Sequence, residues 1–162
     1  MIKGVMIKKL KINFDLRGRL MEILRCDDEI FQKFGQVYIT TAKPGVVKAW
    51  HMHKKQDDHF VCLIGKIRLA LFDARKSSPT FGKVDEFILD PNKPFLVKIP
   101  KNVYHGFKGM AKNTESMVLN VPTRPYSSKD PDEYRIDAYE NDIPYNWRSN
   151  DDTAYGGKRR KL

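Results

Sequence analysis

Hydrophobic and polar residues alternate along short stretches through most of this chain. In residues 66–71, Ile67, Leu69 and Leu71 are separated by single residues, and residues 95–99 repeat the pattern. A period of two is typical of a β-strand with one buried face. Such stretches recur at roughly 8–12-residue spacing between Pro, Gly and Asn turns, as in β-sandwiches and barrels. The pattern therefore predicts an all-β protein built as one jelly roll.

Two segments depart from this pattern. Residues 27–35 begin with acids and end at a glycine, which predicts one short helical turn. Residues 123–157 are rich in Pro, Asp, Tyr and Asn, and we interpret them as an extension that wraps the barrel. We expect residues 1–150 to form a single domain with N- and C-terminal extensions. Residues 151–162 are expected to be a disordered basic tail.

Composition places the chain among ordinary globular domains. Its 162 residues are 41% hydrophobic and 31% charged, enough to enclose a good core. No apolar stretch reaches the length needed to cross a membrane, so no membrane partner is expected. Cys26 and Cys62 form no disulfide or zinc pattern, which favours a location in the reducing cytoplasm.

The chain is basic, with a formal net charge of +10. Residues 158–161 carry four of these charges, which leaves +6 (10 − 4) on the rest. The other Lys and Arg residues are scattered through predicted strands and turns, with no basic stripe interleaved with aromatics. Nucleic acid is therefore not expected as a partner. The same positive field would steer a small molecule that carries a diphosphate.

The densest group of titratable residues lies between positions 50 and 60. His51 and His53 are separated by one residue, so they project from the same face of a strand. Five residues separate Gly45 from His51, and four separate His53 from Asp58. This spacing resembles the first cupin motif, in which a glutamate usually stands at the position of Asp58.

A counterpart of the second cupin motif lies downstream at residues 100–105. There Asn102 takes the place of the usual glycine, and His105 closes the motif. The working hypothesis is that His51, His53 and His105 meet inside a small β-barrel and define the active site.

These residues also allow a metal site. His51, His53, Asp58 and His105 would supply three imidazoles and one carboxylate, a set that suits iron, manganese, nickel or zinc. On the cupin spacing alone, this metal-binding interpretation is favoured.

Segments spread over nearly the whole chain resemble the dTDP-4-dehydrorhamnose 3,5-epimerase family. They are residues 14–18, 48–51, 73–75, 78–82, 99–100, 105–107 and 142–147. The resemblance implies a jelly-roll cupin, usually a homodimer, that acts on nucleotide-linked 4-keto-6-deoxyhexoses without a metal or other cofactor. The expected partners are therefore a nucleotide sugar and a second copy of the chain.

The resemblance also implies roles for individual residues. His51 occupies the position of the general base that removes the proton α to the sugar ketone, a task that suits a group titrating near neutral pH. Lys48 stands where the family carries an arginine, beside the developing enolate oxygen. Arg17 and Glu22 match residues that reach the substrate, with Arg17 as a diphosphate contact. Without the resemblance, Arg17 and Lys48 would be read as ordinary surface cations.

Three further positions match residues of the family's pocket. Gln36 matches a substrate-contacting glutamine, and Tyr38 stands where the family commonly has asparagine. His105 matches a histidine that lines the same pocket. We expect all three to contact the substrate.

The chain departs from the family at the opposing acid. The family places a tyrosine thirteen positions beyond the histidine of His-Gly-Phe, which here corresponds to Val118. Tyr126 lies near a second family tyrosine and is our candidate to replace it, although a packing role is the ordinary interpretation of such a residue. The family's Gln-x-Lys appears as residues 56–58 in a shortened loop, so one basic substrate contact is missing.

His53 replaces a glutamine of the family. The pair His51 and His53, together with the tyrosine-free strand at residues 117–119, resembles the sugar-nucleotide 3,4-ketoisomerases, which divide proton transfers between two histidines. We therefore expect an isomerase, with sugar-nucleotide epimerase first and 3,4-ketoisomerase second. A metal-dependent cupin enzyme and a cupin that binds sugar nucleotides without catalysis are the remaining alternatives.

Overall fold

Residues 1–148, which the computed structural model describes, fold into two five-stranded antiparallel sheets and one separate hairpin. The predicted tail at residues 151–162 lies outside this range. The strands are β1 Met6–Lys9, β2 Ile12–Asp15, β3 Gly18–Met21, β4 Tyr38–Ala42, β5 Val47–Met52, β6 Asp58–Ile64, β7 Ile67–Asp73, β8 Val84–Leu89, β9 Phe95–Ile99, β10 Val103–Gly109, β11 Ser116–Asn120 and β12 Tyr134–Arg135. The all-β prediction is confirmed.

The first sheet has the strand order β1-β9-β6-β11-β4, and the second has the order β12-β5-β10-β7-β8. The main hydrophobic cluster draws on strands of both sheets, including Phe60, Leu69, Leu71, Phe107 and Val118. These side chains recur at every second position because neighbouring residues of a strand face opposite sides of the sheet. Burial between the sheets is the main favourable contribution to folding.

A second cluster covers the other side of the second sheet. Trp50 on β5 and Ala70 on β7 pack with Ile143 and Trp147 of the C-terminal segment. The rings of Trp50 and Trp147 lie 5.0 Å apart, and both residues are only 1% exposed. The extension beyond β11 therefore packs on the second sheet, in line with the wrapping predicted for it, and makes the central strands buried on both sides.

The predicted helical turn at residues 27–35 is wrong. The chain instead makes two successive turns, in which Asp28 N–H donates to Arg25 O and Phe31 N–H donates to Asp28 O. So short a segment gains too few helical hydrogen bonds to offset nucleation, and burial of Ile30 fixes its path instead. Within residues 1–148 there is no helix that could cross a membrane.

A close approach between β10 and β5 sets the spacing of the strands that carry the histidines. A Cβ added to Gly106 would lie 2.2 Å from the Cβ of Ala49 and 2.9 Å from the carbonyl oxygen of Lys48. We expect Gly106→Ala to reduce the free energy of unfolding by about 1–3 kcal/mol, because both strands must move apart. Chemical unfolding would measure the change.

The partner Cβ provides the control for this prediction. Adding Ala49→Gly to Gly106→Ala removes the closest contact and should recover part of the lost stability. A Gly106→Ala protein with the wild-type unfolding midpoint would show that the approach is not tight.

Candidate active site

The three predicted histidines meet where β5 and β10 run side by side. His51 on β5 lies directly opposite His105 on β10, and their ring centroids are 4.0 Å apart. His53 follows the end of β5, and its ring lies 5.6 Å from that of His51 and 5.9 Å from that of His105. The spacing of one residue between His51 and His53 thus places both rings in one cluster.

Asp58 joins this cluster from the opposite sheet, at the first position of β6. Its Oδ2 lies 3.1 Å from His105 Nε2 and 3.4 Å from His53 Nε2, and its Oδ1 accepts a hydrogen bond from Gln56. Burial alone would raise the pKa of Asp58, but the hydrogen bonds and charges of His105 and His53 outweigh it. The pKa of Asp58 is therefore held well below its usual range.

The Nδ1 atoms of two of these rings face backbone carbonyl groups. His105 Nδ1 lies 3.1 Å from Val103 O, and His53 Nδ1 contacts Asp132 O. A carbonyl only accepts, so each Nδ1 carries a hydrogen and each Nε2 is directed at Asp58. Because a carboxylate also only accepts, the contact is attractive when a proton sits between them.

His53 has a tendency to hold such a proton. Burial opposes the charged form, but the hydrogen bond and negative charge of Asp58 raise the pKa of His53 above its usual value. The buried carboxylate therefore favours the charged form of the His53 imidazole.

His51 is shifted in the opposite direction. Burial, followed by the neighbouring charge of His105, lowers the pKa of His51 well below its usual value. His51 is consequently neutral at pH 7 and has a lone pair with which to accept a proton.

A pocket of about 380 Å³ opens in front of the histidine pair. Its wall is formed by Gln36, Tyr38, His51, His53, Lys55, Gln56, Arg124, Pro125, Tyr126, Ser127, Asp130, Asp132 and Glu133. Five predicted site residues, namely Gln36, Tyr38, His51, His53 and Tyr126, thus line one pocket. His105 and Asp58 are almost fully buried and contact the pair from inside the fold.

The two pocket tyrosines differ in their surroundings. Tyr38 on β4 lies directly opposite Asn120 on β11, and its hydroxyl oxygen accepts a hydrogen bond of 2.9 Å from the Asn120 side chain. Burial, with the charge of Asp58, raises the pKa of Tyr38 to about 12, so its proton is retained and can be donated. Tyr126 is 64% exposed, and its backbone N–H donates to Gln36.

Two predicted substrate contacts lie outside this pocket. Arg17, at the turn of the β2–β3 hairpin, has a side chain that is 89% exposed and bonded to Asp15 at 2.6 Å. Glu22 follows the same hairpin and pairs with Arg25 at 3.0 Å. Neither residue lines the pocket of its own chain.

Lys48 and Val118 also lie apart from it. Lys48 Nζ donates to Thr40 Oγ1 at 2.7 Å and to Thr41 O at 3.1 Å, and the residue is not part of the pocket wall. Val118 belongs to the buried core, so the position to which the sequence count leads supplies no acid.

Most of one pocket wall was missed by the sequence analysis. Seven of its residues come from the irregular segment 124–133, of which only Tyr126 was predicted. The four charged residues within positions 129–133, in a loop that follows a strand end, are the available signal, because binding residues are often carried on loops.

The predicted alternative metal set is also brought together. One potential ligand atom from each of His51, His53, Asp58 and His105 lies within 4.8 Å of the others. Such a set fits a divalent transition metal, which would supply a Lewis acid at the pocket.

A β-sandwich whose two sheets hold a histidine-lined pocket defines a cupin-type enzyme. A sequence profile described as dTDP-4-dehydrorhamnose 3,5-epimerase matches residues 1–158. The chain belongs to this family, and it is therefore an isomerase of the carbohydrate-epimerase type.

Individual relatives agree with this assignment. The chain is 39% identical, over 83% of its length and 87% of the relative's, to the probable low-salt glycan biosynthesis epimerase Agl13 of Haloferax volcanii. The crystal structure of a dTDP sugar isomerase from Desulfovibrio desulfuricans has a TM-score of 0.85 and 28% identity, covering 96% of this chain and 97% of that one. A Legionella pneumophila epimerase in complex with dTDP-4-keto-L-rhamnose has a TM-score of 0.76 and 25% identity, covering 86% and 76%.

Replacing the shared carboxylate tests the electrostatics of the cluster. Asp58→Asn removes the negative charge that stabilises the protonated form of His53, so the pKa of His53 should fall. Titration of the His53 ring by NMR would measure it.

Asp57→Asn is the matched control. Asp57 is a neighbouring, nearly buried acid whose carboxylate contacts Lys98 at 3.4 Å and the backbone N–H of Lys101 at 2.9 Å. The Asp57→Asn substitution should leave the pKa of His53 unchanged. An unchanged or higher pKa in Asp58→Asn would contradict the arrangement described above.

Proposed function

We propose that this protein epimerises a nucleotide-linked 4-keto-6-deoxyhexose by abstracting a proton α to the ketone. The observation that carries the proposal is the pair His51 and His53, which line one pocket and contact one buried cluster. Family membership and the sugar nucleotide bound by the Legionella relative support the substrate class.

The two histidines suit complementary tasks. Neutral His51 accepts the proton from the carbon next to the ketone, and the negative charge moves to the ketone oxygen. A cationic group beside that oxygen stabilises the resulting enolate, and His53, whose charged form Asp58 favours, lines the same pocket. Neighbouring titratable groups whose pKa values are pushed apart are typical of an acid and base pair.

Epimerisation is completed when a proton returns to the same carbon from the opposite face. Tyr126 remains our predicted donor, and Tyr38 is a second candidate because its hydroxyl is held by Asn120 with the proton retained. Comparison of Tyr38→Phe with Tyr126→Phe identifies the donor, since only loss of the true donor leaves proton abstraction intact while blocking inversion.

A 3,4-ketoisomerase is the second candidate. The specific observation in its favour is that both histidines reach the pocket while Val118 lies in the core. In that reaction the proton removed from one carbon is delivered to its neighbour, so the ketone changes position.

Solvent exchange tests the proposal directly. With dTDP-4-keto-6-deoxyglucose in heavy water, we expect deuterium at C3, C5 or both, measured by NMR. His51→Asn should slow this exchange by at least about 100-fold, because the base is removed. Activity that persists after treatment with a chelator would support the metal-free chemistry that the resemblance implies.

Three other outcomes would each change the assignment. A product with its ketone at C3 would establish the ketoisomerase. Binding of the nucleotide sugar without exchange at any carbon would leave a binding protein. Loss of exchange after treatment with the chelator, together with a near-stoichiometric transition metal in the untreated, untagged protein, would favour a metal-dependent cupin.

We further propose that the active form is a homodimer in which the β2–β3 hairpin meets the second copy. Phe14, Leu16 and Leu20 on this hairpin are 73%, 107% and 59% exposed, and grouped exposed apolar side chains are typical of a protein–protein contact. Ile39, on the edge strand β4, is also 55% exposed. Contact between copies would bury such surfaces and carry Arg17 towards the partner's pocket.

Complementation tests this arrangement. Arg17→Ala and His51→Asn should each be inactive alone, whereas their co-expression should restore about a quarter of wild-type activity, because half of the dimers hold one intact site. Size-exclusion chromatography with light scattering would establish the dimer. A dimer without restored activity would show that Arg17 does not serve the partner's site.

Three expectations from the sequence stay predictions. They are a single cupin domain over residues 1–150, a location in the cytoplasm and the absence of a nucleic-acid partner.

A further inference from the structure

A single residue of the pocket wall holds the turn that carries His53. Asp132 accepts hydrogen bonds through its side chain from two successive backbone N–H groups, those of Lys54 at 2.9 Å and Lys55 at 2.7 Å. Its own backbone carbonyl contacts Nδ1 of His53. Asp132 therefore contacts residues 53–55 through three hydrogen-bonding atom pairs, two at its carboxylate and one at its carbonyl oxygen.

The contact with the Asp132 carbonyl determines which nitrogen of the His53 ring faces Asp58. A carbonyl oxygen at Nδ1 requires the hydrogen to be on that nitrogen, so Nε2 is left to face Asp58 at 3.4 Å. The other side of the turn is held by Asn102, whose N–H donates to His53 O at 2.6 Å. Asn102 has φ 63°, a left-handed conformation that asparagine tolerates better than most residues.

Other contacts also reach this segment. The two-residue strand β12 pairs with the edge of β5, and Lys54 Nζ lies 3.9 Å from the ring centroid of Tyr134. The strand β12 has only two residues and Lys54 is exposed, whereas Asp132 bonds to the backbone of the turn itself. Without its carboxylate, the carbonyl that fixes the tautomer of His53 would no longer be held in place.

We propose that Asp132 is a positioning residue that sets the orientation of His53, with hydrogen on its Nδ1, by clamping the turn at residues 53–55 to the wall of the pocket. Its role in turnover rests on the proposed function, whereas its effect on the ring does not. Asp132 is therefore expected to act through His53 alone and not through substrate binding.

A double-mutant cycle tests this directly. Asp132→Ala should lower kcat about 10- to 100-fold with little change in KM, since a small displacement of a catalytic group has effects of this size. In a His53→Gln background the same change should alter kcat by less than about threefold, because the group it positions is already gone. Asp132→Asn keeps one acceptor and should recover part of the loss.

Ring NMR provides a readout that needs no substrate. In the wild-type protein the long-range 1H–15N spectrum should show hydrogen on Nδ1 of His53, and in Asp132→Ala this signal should broaden or report mixed tautomers. Asp137→Ala is the matched control, because Asp137 accepts from the backbone N–H groups of Tyr139 and Glu140 outside the pocket. It should change neither kcat nor the His53 signal.

The outcomes separate the two proposals. If the wild-type protein shows no turnover but Asp132→Ala changes the His53 signal as expected, the proposed function is overturned and the positioning role of Asp132 is supported. Equal effects of Asp132→Ala in both backgrounds, or an unchanged His53 signal, overturn the clamp. A protein that loses its thermal transition in both Asp132→Ala and Asp132→Asn shows a structural role and also overturns it.

Discussion

One buried carboxylate organises the chemistry of this fold. Asp58 lies on the first sheet, whereas His51 and His105 lie on the second and His53 just beyond it, so the contacts of Asp58 with His53 and His105 connect the two sheets. Burying a negative charge is unfavourable unless it is compensated, and here a neighbouring imidazole supplies the compensation. The same contact raises the pKa of His53, while burial and the neighbouring charge of His105 lower that of His51. The pKa values of two identical side chains are thereby shifted in opposite directions.

The sequence predicts this cluster well because it depends on strand geometry. A period of two places His51 and His53 together, and the cupin spacing indicates Asp58 and His105. The strands of the core follow the hydrophobic alternation for the same reason. In these strands the alternation of hydrophobic residues and the burial of one face favour the same structure.

The pocket wall could not be predicted in the same way. Residues 124–133 have no periodicity, and their path is set by individual contacts such as those of Asp132 with the turn at Lys54 and Lys55. Tyr126 was identified through its family position, and its neighbours carry no comparable pattern. The failed helical prediction at residues 27–35 has a similar origin, because tertiary burial of Ile30 outweighs weak local preference. Arg17 and Glu22 lie outside the pocket of their own chain because they belong to or follow the separate β2–β3 hairpin, where they pair with Asp15 and Arg25.

The regular and irregular parts of the chain meet different requirements: the strands hold the histidines in place, and the loop forms the opposite wall of the pocket. His51 lies in, and His53 just beyond, a strand whose hydrogen-bond ladder and packing against the core leave little freedom to change. The facing wall is a loop that contributes almost nothing to those ladders, so its side chains, apart from that of Asp132, can be exchanged at small cost to stability. New substrate preferences could thus arise by substitution in this loop while the proton-transfer machinery is retained. The architecture is well suited to diversification among related sugars.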